Sequence, residues 1–166
     1  MAVQQRIESD IRPLSDFEFD EFETGILAVA RYFLIAMNAP ETMAWQKAFI
    51  VSRERWGETI GFPAAFLLSK SITALFQLRK SGFQFQDPLC IEAREYVTDD
   101  EVVFLEMVHH MRRDNTPIAR LAVEELTLGR MDPDIIRTAL AFAARFSCGT
   151  QAQSDSQARP SLSVVQ

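Results

Sequence analysis

Cysteine is scarce in this sequence, and its two thiols, Cys90 and Cys148, do not form a CxxC pair. Small secreted domains that depend on disulfides contain many more cysteines at short spacings, so this low number is typical of a chain kept in a reducing compartment. We therefore expect two ordinary thiols. A redox pair and a disulfide between subunits are the alternatives that the sequence leaves open.

Long apolar runs and excess positive charge are also lacking. No apolar run reaches the roughly 20 residues that a bilayer crossing needs, and the polar start MAVQQRIESDIR has no signal-peptide core. We expect no membrane partner and a cytoplasmic location in a bacterium or similar cell.

The 17 Lys and Arg residues are outnumbered by 23 Asp and Glu, for a formal charge of -6. This balance opposes attraction to phosphate backbones, so a nucleic-acid partner would need a local basic patch.

The short motifs that carry well-known chemistry are missing as well. The sequence has no GxGxxG, no phosphate-binding GxxxxGK[ST], no GxSxG and no HExxH. Dinucleotide, nucleotide, triad-hydrolase and zinc-protease functions therefore have no local support. We expect no cofactor and no catalytic residues, and we interpret the protein as non-catalytic. Carboxylate pairs such as Glu92 with Glu95 are expected to be solvated helix faces.

What the chain does have is apolar and aromatic side chains in helical periods. Of its 166 residues, 48% are hydrophobic and 13 are Phe, enough to form the core of one domain. Apolar residues spaced by three or four positions from Phe19 to Met37 predict a helix over 16–37. Similar patterns, with prolines and glycines between them, predict helices over 40–57, 63–80, 88–96, 99–113, 117–128 and 133–147.

These segments predict an all-α fold, a single compact bundle-like domain of six to seven helices with no significant sheet. The domain is expected to cover 15–148, after a flexible lead-in over 1–14 and before a polar, disordered tail over 149–166. The 63–80 segment is apolar on most sides, which is typical of a helix surrounded by others.

Capping residues mark several of the predicted helix starts. Ser15 with Glu18 and Thr98 with Glu101 have the spacing of a capping box, in which side chain and backbone of the first turn bond reciprocally. Thr116-Pro117 and Asp132-Pro133 repeat another device, an oxygen acceptor at the N-cap followed by a proline that suits the first helical turn.

A metal-binding bundle is one alternative function. Glu106 and His109 form an E-x-x-H unit on the predicted 99–113 helix, as in helical bundles that bind a carboxylate-bridged metal pair. A second unit is lacking, because the only other histidine, His110, points about 100° away around the helix. Only a homodimer that shares sites would complete the ligand set. We therefore expect no bound metal, with Glu106 and His109 as the ligands if one is present.

A direct DNA-binding transcription factor is the other alternative, using a helix-turn-helix-like segment over 117–146. Its second helix would have to expose polar side chains to the bases, yet that helix is rich in Ile, Ala, Leu and Phe. The candidate nucleic-acid contacts are Arg112, Arg113, Arg120 and Arg130, provided that they converge on one surface.

Surplus apolar side chains favour a third interpretation. Val102 and Leu105 lie behind the main apolar face of their predicted helix, and the 133–147 helix has two adjoining apolar faces. Such surplus indicates a self-association surface. We interpret the chain as a non-catalytic bacterial regulatory or adapter protein, with transcriptional control as one candidate process. It would form a homodimer and act through helix-mediated protein–protein contacts with a partner that the sequence does not name.

Overall fold

The structure, a computed structural model, describes residues 11–148 of the chain. Within that range it contains five α-helices and one two-stranded sheet, besides short 3-10 helices. The helices are α1 (Glu21–Asn38), α2 (Ala44–Arg79), α3 (Asp99–Arg112), α4 (Thr116–Leu126) and α5 (Pro133–Arg145). The predicted all-α fold is confirmed, although the predicted count of six to seven helices is too high. The predicted tail and residues 1–10 of the predicted lead-in lie outside the described residues.

The helix count differs for two reasons. The segments predicted over 40–57 and 63–80 are two helical parts that follow each other without a loop at a kink at Gly57, where φ is 72° and ψ is 177°, and they are numbered together as α2. The segment predicted over 88–96 contributes only a 3-10 helix, Glu92–Glu95. This short turn lies at the surface, in the connection between α2 and α3.

A small antiparallel sheet connects the start of the described chain to the residues before α3. Strand β1 (Arg12–Pro13) pairs with β2 (Tyr96–Val97), with Arg12 opposite Val97 and Pro13 opposite Tyr96. Residues 12 and 13 belong to the predicted lead-in and are thus held against the domain.

The core lies where α1 packs on α2, α3 packs on α4, and α5 packs on both α2 and α3. Its largest fully buried side chains come from every helix, and they include Phe104, Phe142, Ile26, Leu68 and Leu126. Val102 and Leu105 are buried in this same core. The expectation that these two form a surplus outer surface is therefore wrong, since α3 is enclosed on most sides by α1, α4 and α5.

Helix starts are capped partly as predicted. Thr98 and Glu101 form the predicted capping box of α3, and Asp132 accepts hydrogen bonds at the start of α5. The box predicted for Ser15 and Glu18 is wrong, because α1 begins at Glu21 with a box formed by Asp20 and Glu23. Arg112 at the end of α3 and Arg113 directly after it bind these two carboxylates, which favours the later start.

By length and composition alone, α2 is the one helix in the described range that is long and apolar enough to cross a membrane. Core helices of soluble proteins have the same length and composition. The interruption at Gly57 also divides α2 into two parts, of which the second, 58–79, carries most of the apolar residues.

Candidate functional site

An ionic cluster joins the N-terminus of α1 to the C-terminus of α3. Arg112 donates from Nη1 to Asp20 Oδ2 at 2.7 Å and to Glu23 Oε1 at 2.6 Å. Arg113 donates to the same two carboxylates, at 3.2 Å to Asp20 and 2.6 Å to Glu23. Acids at a helix N-terminus and bases at a C-terminus are each favoured by the helix dipole, so both ends of the cluster suit their positions.

Histidine completes the cluster at its most buried carboxylate. The Nδ1 atom of His109 lies 2.9 Å from Glu23 Oε2, and Glu23 itself has no exposed surface. Burial alone would raise the pKa of Glu23, but hydrogen bonds from Arg113, His109 and the backbone of Asp20 outweigh it and hold the pKa below its usual value. The pKa of Asp20 is lowered as well, since hydrogen bonds from the Glu23 N–H and from Arg112 outweigh its burial.

The cluster is better suited to holding the fold together than to catalysis. A general acid and a general base need environments that drive two pKa values apart. Here both carboxylates, Asp20 and Glu23, have lowered pKa values and accept from guanidinium groups. They are therefore ionised and already paired near neutral pH, and neither is available to take up a proton.

The metal alternative depends on different residues from those that the sequence suggests. Among residues 11–148, the group whose potential ligand atoms all lie within 4.8 Å of one another is Asp20, Glu23 and Cys148. Glu106 is not part of it, and the Nδ1 of His109 faces Glu23. Because Arg112 and Arg113 already occupy the two carboxylates, an ion at this position would have to displace them.

The four arginines predicted for DNA contact fall into two sets. Arg112 is buried and Arg113 is partly covered, and both bind the carboxylates of the ionic cluster. Arg120 and Arg130 are exposed, one on α4 and one just after it. On α5, the exposed Arg137 is paired with Asp134 at 3.1 Å. Of the four predicted arginines, only Arg120 and Arg130 therefore remain exposed and outside the ionic cluster.

An exposed aromatic stripe lies on the second part of α2. Phe62 is 41% exposed and Phe66 is 53% exposed, although the opposite side of the same helix is buried core. Glu58 precedes Phe62 by four residues and Lys70 follows Phe66 by four, and both are exposed. We call these four residues, Glu58, Phe62, Phe66 and Lys70, the α2 ridge.

The α2 ridge continues onto the first part of the helix. The ring of Phe49 lies 6.5 Å from that of Phe62 and 6.5 Å from that of Trp45, and it packs edge-on against the core residue Phe33 at 5.7 Å. At the other end, Lys70 Nζ lies 4.8 Å from the centre of the Phe66 ring, a cation–π contact. Together these side chains form one aromatic surface from Trp45 to Phe66, with Lys70 at its edge.

No family model matches this chain, and neither does any curated protein or any solved structure.

Sequence reasoning located the ionic cluster only in part. It singled out His109, Arg112 and Arg113 but interpreted the acidic start of α1 as a helix cap. Asp20 and Glu23 do cap α1, and they also bind the arginines, because α1 and α3 lie side by side. The exposure of Phe62 and Phe66 was missed as well. The 63–80 segment is apolar on most sides, and which of those sides remains uncovered depends on how the other helices pack.

Proposed function

We propose that this protein is a non-catalytic regulatory or adapter protein that acts through helix-mediated contacts, and that the α2 ridge joins two copies of the chain into a homodimer. The single observation that carries the proposal is the exposure of Phe62 and Phe66 on a helix whose residues Ala64, Ala65 and Leu68 are core. Two neighbouring aromatic rings exposed one helical turn apart are expected to be covered by a partner.

The size of the surface supports a specific contact. An aromatic side chain buries about 150–250 Å² when it is enclosed, so Phe62, Phe66 and Trp45, each about half exposed, leave on the order of 300 Å² uncovered. The largest apolar patches on monomers reach this size and are often functional. Such a patch would form the centre of an interface that buries roughly 800 Å² on each partner.

The charges of the α2 ridge favour a second copy over other partners. The ridge carries an acid at one end, Glu58, and a base at the other, Lys70. When two copies lie antiparallel about a two-fold axis between the phenylalanines, Phe62 meets Phe66 of the second copy. Glu58 then faces Lys70 of the second copy at both ends. The ridge is thus complementary to itself, as a two-fold interface requires.

The helical spacing of the ridge suits such a crossing. Side chains four residues apart form a row inclined by about 26° to the helix axis, and two such rows interlock when helices cross at about -50°. All four ridge residues lie on one such row. The flanking Lys70 and Glu58 are at the ends of the row, where long side chains reach across to the second helix while their charged groups stay in water.

Sedimentation over a micromolar concentration series tests the homodimer. Phe66→Glu is expected to weaken association at least about thirtyfold, because it places a charge at the centre of the contact. Leu121→Glu is the matched control, since Leu121 is 60% exposed on α4, away from the ridge, and its change should leave association unaltered. A chain that is monomeric at every concentration, or one that Phe66→Glu does not affect, would overturn the proposal.

A charge exchange tests the two-fold arrangement itself. Glu58→Lys places like charges at both ends of the contact and is expected to weaken it about fivefold, while the double variant E58K/K70E should recover most of the affinity. Failure of the double variant to recover would refute antiparallel pairing.

Binding to vesicles of neutral phosphatidylcholine tests whether a membrane, rather than a second copy, covers the α2 ridge. A monomer that co-sediments with them, and loses this with Phe66→Glu, would reassign the α2 ridge to a membrane surface.

A further inference from the structure

A second site lies on the side of the molecule where α1, α2 and α5 meet. A cavity of about 700 Å³ opens there, a volume in the range of pockets that bind small molecules. Its lining includes the aromatic residues Phe22, Trp56 and Phe146 and the arginines Arg55 and Arg145. The cavity adjoins the ionic cluster, whose Asp20 and Arg112 form part of its wall.

The aromatic side of the cavity is preformed. The ring of Phe22 lies 4.9 Å from that of Trp56 and 5.2 Å from that of Phe146, so the three side chains form one continuous apolar surface. The Arg112 guanidinium lies 4.8 Å from the centre of the Phe22 ring and fixes it from the side of the ionic cluster. Such a surface is suited to contact with a flat apolar body.

Gly25 on α1 makes room for this arrangement. A Cβ atom added at Gly25 would lie 2.5 Å from Trp56 Cζ2 and 3.6 Å from Arg55 Nη1. The indole of Trp56 therefore lies directly against the α1 backbone, and Arg55 beside it. A side chain at this position would displace the indole of Trp56.

The charges of the cavity favour an anion. Arg112 and Asp20 neutralise each other within the ionic cluster. The side chains of Arg55 and Arg145 are exposed and form no ion pair or hydrogen bond with any residue in the range 11–148. The remaining acid of the lining is Glu21, so the unpaired groups carry a net positive charge. Guanidinium groups are well suited to bind carboxylates and phosphates, because their donors match the spacing of two oxygens.

We infer that this cavity binds a small anion with an aromatic body, whose ring packs on Phe22, Trp56 and Phe146 while its carboxylate or phosphate group accepts from Arg55 and Arg145. The site is separate from the α2 ridge and does not depend on the proposed homodimer. Phe62 and Phe66 are not part of the cavity lining, and the aromatic residues of the lining are not part of the ridge.

The two tryptophans of the chain allow a direct test. Trp45 lies at the aromatic surface of α2 and Trp56 in the cavity, so the Trp45→Phe variant leaves Trp56 as the only indole. Phenylacetate and phenyl phosphate are the probes, and calorimetry on the unmodified full chain checks the fluorescence result. A saturable change in Trp56 emission is expected with both anions. Phenylacetamide, which has the ring but no charge, should bind at least about tenfold more weakly.

Variants separate the roles of the charges from those of the rings. Arg55→Gln and Arg145→Gln should each weaken phenylacetate binding about tenfold, because each removes a charged hydrogen bond. Arg137→Gln is the matched control on α5, since Arg137 is exposed and pairs with Asp134. The inference is overturned if neither probe gives a saturable change, or if the amide binds as tightly as the anion. Equal weakening by Arg137→Gln would also overturn it, as would inorganic phosphate binding as tightly as phenyl phosphate.

Discussion

The side-chain hydroxyl of Ser52 donates a 2.7 Å hydrogen bond to the carbonyl oxygen of Gly61, nine residues further along the chain. In a straight α-helix these two residues would be separated by about 13.5 Å. The reversal at Gly57 brings them together, and both residues are buried at the contact. The two parts of α2 therefore pack against each other at a point where the backbones almost touch.

Replacing Gly61 by alanine is expected to lower the free energy of unfolding by about 1–3 kcal/mol, as overpacking of a buried position does. The added Cβ would overlap the carbonyl oxygen of Ser52 and lie 2.7 Å from its carbonyl carbon, and backbone atoms cannot move aside cheaply. Urea unfolding followed by circular dichroism measures the loss. Gly82→Ala is the control, because nothing lies within 4 Å of its added Cβ. Equal stability of the two variants would contradict the packing described here.

The second prediction concerns a buried ion pair. Arg31 binds Glu101 with both Nε, at 2.6 Å, and Nη2, at 3.0 Å, and both side chains are almost completely enclosed. Arg31→Met leaves the carboxylate buried without its partner and is expected to cost about 3–5 kcal/mol of stability. Arg12→Met breaks an exposed pair with Asp99 of similar length and should cost less than about 1 kcal/mol. A loss of the same size in both variants would show that burial does not decide the strength of these pairs.

Acid should weaken the fold through the ionic cluster. Asp20 and Glu23 have lower pKa values in the folded chain than their ordinary values of 3.8 and 4.5. A carboxyl group with a depressed folded pKa stabilises the fold above its unfolded pKa, and this contribution is lost as the pH falls through the folded value. The stability of the protein is thus expected to fall from about pH 4.5 downward.

Urea unfolding at a series of pH values checks this expectation against Glu23→Gln. The variant lacks the titrating group, so it should be less stable than the unmodified chain near neutral pH, and the difference should shrink as the pH falls below 4.5. Asp134→Asn is the control, since that carboxylate pairs with Arg137 on the exposed surface of α5. A difference that stays constant from pH 7 to pH 3 would exclude Glu23 as the source of the acid sensitivity.

Periodicity along the sequence was enough to predict the helices, because an apolar stripe has to face a core wherever the helix lies. It predicted the approximate extents of α1, α3, α4 and α5 and the Thr98–Glu101 capping box, which are local features. It predicted a helix on either side of Gly57, but not the sharp reversal of the chain at that residue. A glycine at a helix end serves equally well as a stop or as a sharp turn, and only the contact between Ser52 and Gly61 distinguishes the two.

Functional surfaces were harder to predict, since they depend on which residues remain uncovered after packing. Val102 and Phe66 are both apolar residues on helices rich in apolar side chains, yet Val102 is buried and Phe66 is exposed. Nothing in their local sequence separates them. In the same way, Arg112 and Arg120 are similar as residues in the sequence, but α1 supplies carboxylates to the first and not to the second.

The last prediction concerns the two helix starts at which a proline follows a possible N-cap residue, Thr116-Pro117 and Asp132-Pro133. Asp132 caps α5 as the sequence indicates, with Oδ1 accepting from the backbone N–H groups of Asp134 and Ile135 at 3.0 Å each. Thr116 does not cap α4, because it is already the first residue of that helix and Asn115 takes the N-cap position without a side-chain cap bond. Asp132→Ala is therefore expected to cost about 1 kcal/mol of stability.

Thr116→Ala should change stability by less than about 0.5 kcal/mol, since alanine is a better helix former than threonine and no cap bond is lost. Thermal unfolding of both variants measures the contrast under one set of conditions. A loss with Thr116→Ala that matches the loss with Asp132→Ala would mean that the threonine hydroxyl does cap α4 in solution. The helix would then begin one residue later, as the Thr-Pro pattern predicts, and the turn between α3 and α4 would be one residue longer than described here.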